Sequence, residues 1–152
     1  MRKYVYVIFL LALASLAAVA LVAQSDQTDP FVGTWKLNVA KSKINPGPAP
    51  KSETVTITND KTTVEGVDAE GKSYTWSFTS SAEKAVPIEG MENSTVLTKR
   101  SGRTVDATWD MNGGKETGHG VISKDGKTMK YTMTGTNAQG QKAHNVLIFE
   151  KQ

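Results

Sequence analysis

Two histidines and several carboxylates are the side chains of this sequence that could bind a metal or transfer protons. His119 and His144 are the only histidines, and cysteine is absent. A zinc site takes about four ligands at suitable spacing, and the sequence offers no such cluster. A single histidine can hold a haem iron, and His144 is the better candidate because Val146 and Ile148 share its face. The alternative is an ordinary surface histidine. We expect neither a metal nor a cofactor.

Five carboxylates could act in pairs as acid and base: Glu65, Asp68, Glu70, Asp106 and Asp110. Asp106 and Asp110 lie on the threonine-rich face of their strand, so we expect them to be solvated. The sequence contains no Gly-x-Ser-x-Gly nucleophile motif and no phosphate-binding glycine loop. Without cysteine it has no thiolate nucleophile. The residues therefore favour a protein that is not an enzyme.

Aromatic and methionine side chains form the most conspicuous set of candidate binding residues. They recur at alternate positions of three segments, where they could line an apolar cavity, with the methionines adapting to the shape of a ligand. The alternative is that they fill the interior as its core. The eight pocket-lining candidates are Tyr74, Trp76, Phe78, Trp109, Met111, Met129, Tyr131 and Met133.

The elements that must position these residues are strands, because the apolar pattern has a period of two. About ten short runs of this kind alternate with turn-forming residues, which is typical of a meander that closes into a barrel or sandwich. The predicted fold is all-β: a single antiparallel up-and-down barrel of about 8–10 strands after an N-terminal signal helix. The strands are predicted at 31–39, 53–58, 62–67, 73–79, 84–88, 94–100, 104–111, 116–123, 128–136 and 143–150.

Alternation alone does not say which face of the strands is inside. A membrane barrel displays its apolar face to lipid, but its strands need roughly 9–11 residues and aromatic residues at both interfaces. Most strands here are shorter, and their aromatic residues lie mid-strand. We expect a soluble barrel with the apolar face inside and no insertion in a membrane.

Residues 1–23 have the features of a secretory signal. Arg2 and Lys3 precede an uncharged apolar run, and small residues offer cleavage near Ala20 or Ala23. The expected organisation is a signal peptide at 1–23, a polar lead-in at 24–30 and one barrel domain at 31–152. An uncleaved anchor is the alternative, because 18 or more apolar residues can span a bilayer.

The charge balance of the exported form argues against nucleic acid as a partner. The chain has 18 basic and 15 acidic residues, and two of the basic ones lie in the signal. A net charge of about +1 creates no strong field for nucleic acid or an anionic membrane. We expect a monomeric periplasmic or secreted protein of bacterial type.

Both ends of the predicted barrel resemble known families. The run 31–37, Phe-Val-Gly-Thr-Trp-Lys-Leu, resembles the first strand of fatty-acid-binding proteins and carries the Gly-x-Trp pattern of lipocalins; 149–151, Phe-Glu-Lys, resembles the end of the last strand. The chain is similar to small exported lipocalin-like proteins of bacteria, which usually lack an assigned function. The resemblance implies that Gly33 and Trp35 close one end of the barrel.

Two departures separate the sequence from the fatty-acid-binding pattern. That family has two helices after its first strand, whereas 40–50 is short and proline-rich. Its carboxylate clamp has an arginine at the position of Leu147, so a fatty-acid carboxylate lacks its usual partner here.

The sequence leaves three functions open. The first is an exported carrier of a small hydrophobic or lipid-like ligand. The second is a filled barrel that acts as a structural or interaction module through its threonine-rich surface, and the third is an exported enzyme of unknown type.

Overall fold

The computed structural model describes residues 29–152, which form ten strands and one short 3₁₀ turn. The predicted signal peptide and most of the predicted lead-in lie outside the described residues. The strands are β1 (Gly33–Leu37), β2 (Ser52–Ile57), β3 (Lys61–Val67), β4 (Ser73–Thr79), β5 (Val86–Pro87), β6 (Ser94–Ser101), β7 (Thr104–Met111), β8 (Gly114–Ile122), β9 (Thr128–Thr136) and β10 (Lys142–Lys151).

The strands form one antiparallel sheet in which strands that are consecutive in sequence pair with each other, except β4 and β5, which are the two edges. β10 returns to pair with β1, so the spatial order is β4-β3-β2-β1-β10-β9-β8-β7-β6-β5. The two edges meet at one bridge between Ser77 of β4 and Glu89, with backbone hydrogen bonds of 3.0 and 2.8 Å. The sheet is therefore a nearly closed up-and-down barrel, and the predicted fold is confirmed.

The turns explain why neighbouring strands pair. Between β7 and β8, Asn112 has a φ of 48° and Gly113 a φ of 93°. Two-residue hairpin turns with positive φ match the right-handed twist of the flanking strands. The Asn-Gly pair at 112–113 thus fixes the register that places Trp109 opposite Glu116.

The apolar face of the strands points into the barrel. On β7, Val105, Ala107 and Trp109 are buried while Asp106 and Thr108 are exposed. Because side chains alternate between the faces of a strand, the same parity places most strand threonines outside. Within residues 29–152, no helix is long and apolar enough to cross a membrane.

The segment between β1 and β2 contains no lid of helices. β1 ends at Leu37, two residues earlier than predicted, because Val39–Lys41 forms a 3₁₀ turn capped by the Asn38 side chain. The chain then returns to the sheet, where Lys43 bridges Val146 of β10 and the Asn45 carbonyl accepts a hydrogen bond from His144 N–H. The proline-rich remainder, 46–50, lies at the same end of the barrel as the turn between β3 and β4.

Trp35 and Phe31 close the other end. Trp35 is completely buried, and its indole N–H donates a 2.8 Å hydrogen bond to the Phe31 carbonyl. The Lys151 ammonium lies 5.0 Å from the centre of the Trp35 ring, and its side chain covers Gly33, whose φ is 137°. A Cβ at Gly33 would lie 2.8 Å from Lys151 Cε. Gly33 and Trp35 therefore lie together at this end, beside Lys151.

Candidate functional site

The barrel interior contains an apolar cavity of about 180 Å³. Its wall combines aromatic rings, aliphatic side chains and methionines, together with a few polar groups. The lining residues are Phe31, Glu53, Val55, Ile57, Thr62, Val64, Trp76, Phe78, Thr98, Arg100, Val105, Ala107, Trp109, Met111, Met129, Tyr131, Met133, Leu147 and Phe149.

Three aromatic rings from opposite sides of the sheet closure meet at the cavity. Trp76 and Phe78 of β4 are stacked with centroids 6.3 Å apart, and the Trp109 ring of β7 meets both edge-on at 5.9 and 5.6 Å. Edge-to-face pairs at such distances add favourable energy beyond their buried area. The rings therefore link β4 to β7 across the closure of the sheet, where backbone pairing consists of the one bridge between Ser77 and Glu89.

Tyr131 occupies space that two glycines leave free. Its ring lies against Gly118 and Gly120 of β8, where an added Cβ would overlap the Tyr131 hydroxyl or approach Cδ2 to 2.8 Å. Its hydroxyl accepts a 3.0 Å hydrogen bond from the Trp109 indole N–H. Burial raises the pKa of Tyr131 to about 12. The phenol therefore stays protonated at neutral pH and fixes the Trp109 ring in the wall.

Seven of the eight aromatic and methionine residues predicted from the sequence lie in the cavity wall, and Tyr74 lies at the mouth. The methionines come from the two strands that flank β8, Met111 from β7 and the pair Met129 and Met133 from β9. Flexible thioether side chains can change shape around a guest. The wall is therefore most adaptable on this side of the cavity.

A second recess, of about 280 Å³, lies at the mouth between the proline-rich segment and the β3–β4 turn. Glu53 and Leu147 line both the cavity and this recess, so the two spaces meet at these side chains. Its other lining residues are Leu37, Ile44, Pro48, Pro50, Asp68, Ala69, Glu70, Tyr74 and Asn145.

Glu53 and Tyr74 form a polar pair at the junction of the two spaces. The Tyr74 hydroxyl donates a 2.8 Å hydrogen bond to Glu53 Oε2. Burial raises the pKa of Glu53, although the hydrogen bond opposes the shift. Burial and the negative charges of Glu53 and Asp68 raise the pKa of Tyr74. The Glu53 carboxyl can therefore accept a hydrogen bond from a molecule in the cavity.

Glu116 is a second acid on the inward face. It lies on β8 between Trp109 of β7 and Gly135 of β9, and only 5% of its surface is exposed. Its Oε2 atom is buried without a hydrogen-bond partner among the described residues. Burial raises the pKa of this carboxyl, since an uncompensated charge is costly in an apolar environment.

Arg100 is the one cationic side chain among the described residues that line the cavity, and its charge is already compensated. Its guanidinium donates to Asp29 Oδ2 at 2.8 Å and to Ser80 Oγ at 3.1 Å, and it lies 5.7 Å from the centre of the Phe31 ring. The Arg100–Asp29 ion pair thus belongs to the closed end.

The other candidates for chemistry lie outside the cavity. His119 is exposed and pairs with Asp106 at 2.6 Å, and Asp110 is 3.8 Å from the Lys115 ammonium. His144 shares its face with Val146 and Ile148 as predicted, but that face is the outer one, so His144 is no interior haem ligand. In residues 29–152, no three metal-ligating side chains cluster.

Solved structures with this architecture include several barrels of low sequence identity. The fluorescent protein UnaG is 19% identical with a TM-score of 0.51, over 80% of this chain and 97% of UnaG. Echinococcus granulosus fatty-acid-binding protein 1 is 13% identical with a TM-score of 0.52, over 80% and 97%. The Schistosoma mansoni fatty-acid-binding protein, solved with arachidonic acid, is 17% identical with a TM-score of 0.50, over 81% and 96%.

The fold is the up-and-down barrel of these fatty-acid-binding proteins. The sequence itself matches no protein-family model and no curated protein, so the likeness is one of architecture. As expected from the short, proline-rich run 40–50, the segment between β1 and β2 forms a 3₁₀ turn and no pair of helices. Leu147, which the sequence resemblance places at the clamp position, lines the cavity.

Sequence reasoning missed the two inward acids. Glu53 shares the parity of Val55 and Ile57, so the period-two pattern of β2 carried a signal for its position. Glu116 had a weaker signal, because its inward neighbours on β8 are Gly118 and Gly120 rather than large apolar residues.

Proposed function

We propose that this protein binds a small hydrophobic or lipid-like ligand inside the barrel. The observation that carries the proposal is the apolar cavity, enclosed by strands and bordered by a recess at the mouth. Ligand pockets are mostly apolar with a few placed polar groups, and Glu53, Tyr74 and Arg100 are such groups here. The fatty-acid-binding proteins of the same fold support this proposal.

Binding rather than catalysis fits the composition of the wall. Its described residues include no histidine, cysteine or serine, and its one carboxyl group, that of Glu53, accepts a hydrogen bond from Tyr74 at the mouth. A nucleophile beside a base is what covalent catalysis requires. A binding protein needs no such pair.

A filled barrel with a structural or interaction role is the second candidate. The observation in its favour is the volume, because about 180 Å³ is below the roughly 300–1,000 Å³ of typical ligand pockets. The mouth recess and the flexible methionines favour binding instead, since both enlarge the space that a ligand can use.

Native mass spectrometry of the protein purified from cells, followed by organic extraction, tests the proposal. We expect a bound molecule at one per chain, or saturable binding of 1-octanol with a change in tryptophan fluorescence. Ala107→Leu fills the cavity from β7 and should abolish binding. Thr108→Leu, on the outer face of the same strand, is the control. Equal binding by both variants would refute a site inside the barrel.

We further propose that the protein acts after export, on the basis of residues 1–23. N-terminal sequencing of the protein from the periplasmic or secreted fraction should give a start near residue 21 or 24. An intact Met1 in a membrane fraction would favour the anchor.

A further inference from the structure

The charges around the cavity differ from those that a carboxylate ligand needs. Arg100 already pairs with Asp29, and no other lysine, arginine or histidine among the described residues lines the cavity or the mouth recess. Lys51 lines neither space, and its ammonium approaches Gly71 of the β3–β4 turn. A fatty-acid anion would therefore lose its hydration without gaining a cationic partner.

Acidic groups border the path into the barrel. The recess is lined by Glu53, Asp68 and Glu70, and Glu53 also reaches the inner cavity. Tyr74 is the one hydrogen-bond partner of the Glu53 carboxyl among the described residues, which leaves this carboxyl with spare acceptor capacity.

Glu116 is an observation independent of Glu53, and it places a second acidic side chain on the inward face of the barrel. It is a nearly fully buried carboxyl on the inward face, and its Oε2 atom lacks a partner among the described residues. Buried polar atoms without partners are rare and call for an explanation such as an unfilled ligand or water site. Glu116 lines neither the cavity nor the recess, so its unpaired oxygen adds to the acidic character of the interior and is not a ligand contact.

We infer that the ligand is an amphiphile whose polar end donates hydrogen bonds or carries positive charge, held at Glu53 beside Tyr74, and that the barrel discriminates against carboxylates. This inference rests on the proposed function and specifies the ligand class for the same site. A carboxyl group accepts from an amine or hydroxyl, whereas two like-charged carboxylates in one apolar site repel each other. Glu53 is then the residue that sets specificity.

The volume sets the size of a suitable probe. A water molecule occupies about 30 Å³ of liquid, so about 180 Å³ has room for a short chain of six or so heavy atoms, with the polar end at the junction with the recess. An octyl chain fills this space and extends its remaining carbon atoms and its polar end to the junction with the recess. Octylamine, 1-octanol and octanoate share one tail and differ only in the polar end.

The test measures the affinities of these three probes by tryptophan fluorescence at pH 7, with the purified protein and with two variants. We expect octylamine to bind at least tenfold tighter than octanoate, with 1-octanol in between. Glu53→Gln keeps an acceptor for Tyr74 but removes the charge, and it should reduce the ratio of amine to octanoate affinity at least fivefold. Glu65→Gln, on the exposed face of β3, is the matched control and should keep the ratio.

The outcomes separate the inference from the proposed function. Saturable octanol binding with octanoate equal to or tighter than octylamine would overturn the inference and leave the binding function intact. An amine preference that survives Glu53→Gln would overturn the assignment to Glu53. Saturation by none of the probes would refute the binding function, and the inference with it. The comparison of the three probes with the unaltered protein decides the ligand class even if Glu53→Gln fails to fold.

Discussion

The two ends of the barrel use charge in opposite ways. At the closed end, the Arg100 guanidinium pairs with Asp29, and the Lys151 ammonium lies over the Trp35 ring. At the open end, Glu53 meets only a tyrosine hydroxyl, and Asp68 and Glu70 line the recess with no ion pair among the described residues.

This difference shows which end is built for stability. Compensated charges and a fully buried tryptophan stabilise a fixed structure, whereas a buried acid without a cation raises the free energy of the folded state. A protein keeps such a cost where binding can offset it. The open end is therefore the end where we expect function, and the following substitutions test the contrast.

Trp35→Ala should have the largest effect. Truncating a fully buried tryptophan removes its contacts and leaves a void, so we expect the free energy of unfolding to fall by about 3–5 kcal/mol in urea denaturation. Trp76→Ala near the mouth should cost clearly less, because Trp76 is only partly buried and borders a cavity. Equal losses would break the contrast between the ends.

Arg100→Met should have the next largest effect on the free energy of unfolding. The change leaves Asp29 without its cation, and we expect a loss of about 2–3 kcal/mol in unfolding free energy. Adding Asp29→Asn to this variant should restore part of the loss, because the uncompensated charge is gone. Strict additivity of the two substitutions would show that the ion pair contributes nothing to the closed end.

Gly118→Ala should cost about 1–2 kcal/mol by forcing Tyr131 away from β8. The displacement would also break the Trp109–Tyr131 hydrogen bond and change tryptophan emission. Tyr131→Phe removes the hydroxyl that a Cβ at position 118 would overlap. The double variant should therefore be more stable than the sum of the single effects predicts.

Glu116→Gln should have the smallest effect, and one that depends on pH. Burial raises the pKa of Glu116 above its ordinary value of 4.5. Between the unfolded and folded pKa values the native state binds more protons, so stability falls as pH rises through this window. The variant lacks this loss, and we expect it to be more stable than the unaltered protein by roughly 1 kcal/mol at pH 8 and about equal to it at pH 4. Thermal melts across this range provide the measurement, and a pH-independent difference would contradict the assignment.

The fold was predictable because the residue pattern marks where nearly every strand begins and ends. The strands Ser73–Thr79, Thr104–Met111 and Thr128–Thr136 lie where the alternation of apolar residues and threonine placed them. The weak segment 84–88 contains only the two-residue strand Val86–Pro87. A proline lacks the N–H that a sheet ladder needs, so this edge is short and closure depends on one bridge.

The interior was less predictable than the strands. Parity in β2 was enough to place Glu53 inside, but an acid on an inward face runs against the usual burial preference and is easily passed over. The cavity itself depends on how far the rings of Trp76, Phe78 and Trp109 reach across the barrel. Such reach follows from three-dimensional packing, on which a one-dimensional pattern carries no information.

The contact between Tyr131 and the glycines of β8 has a consequence for how this barrel could change its guest. Gly118 and Gly120 have no side chain, so the Tyr131 ring fills the space above them, together with Val105 Cγ1 at Gly120. One substitution of Tyr131 by a small residue would open that space along bare backbone and lengthen the cavity without rebuilding a strand. A barrel with a longer cavity would thus need only one substitution, at Tyr131, with Gly118 and Gly120 retained.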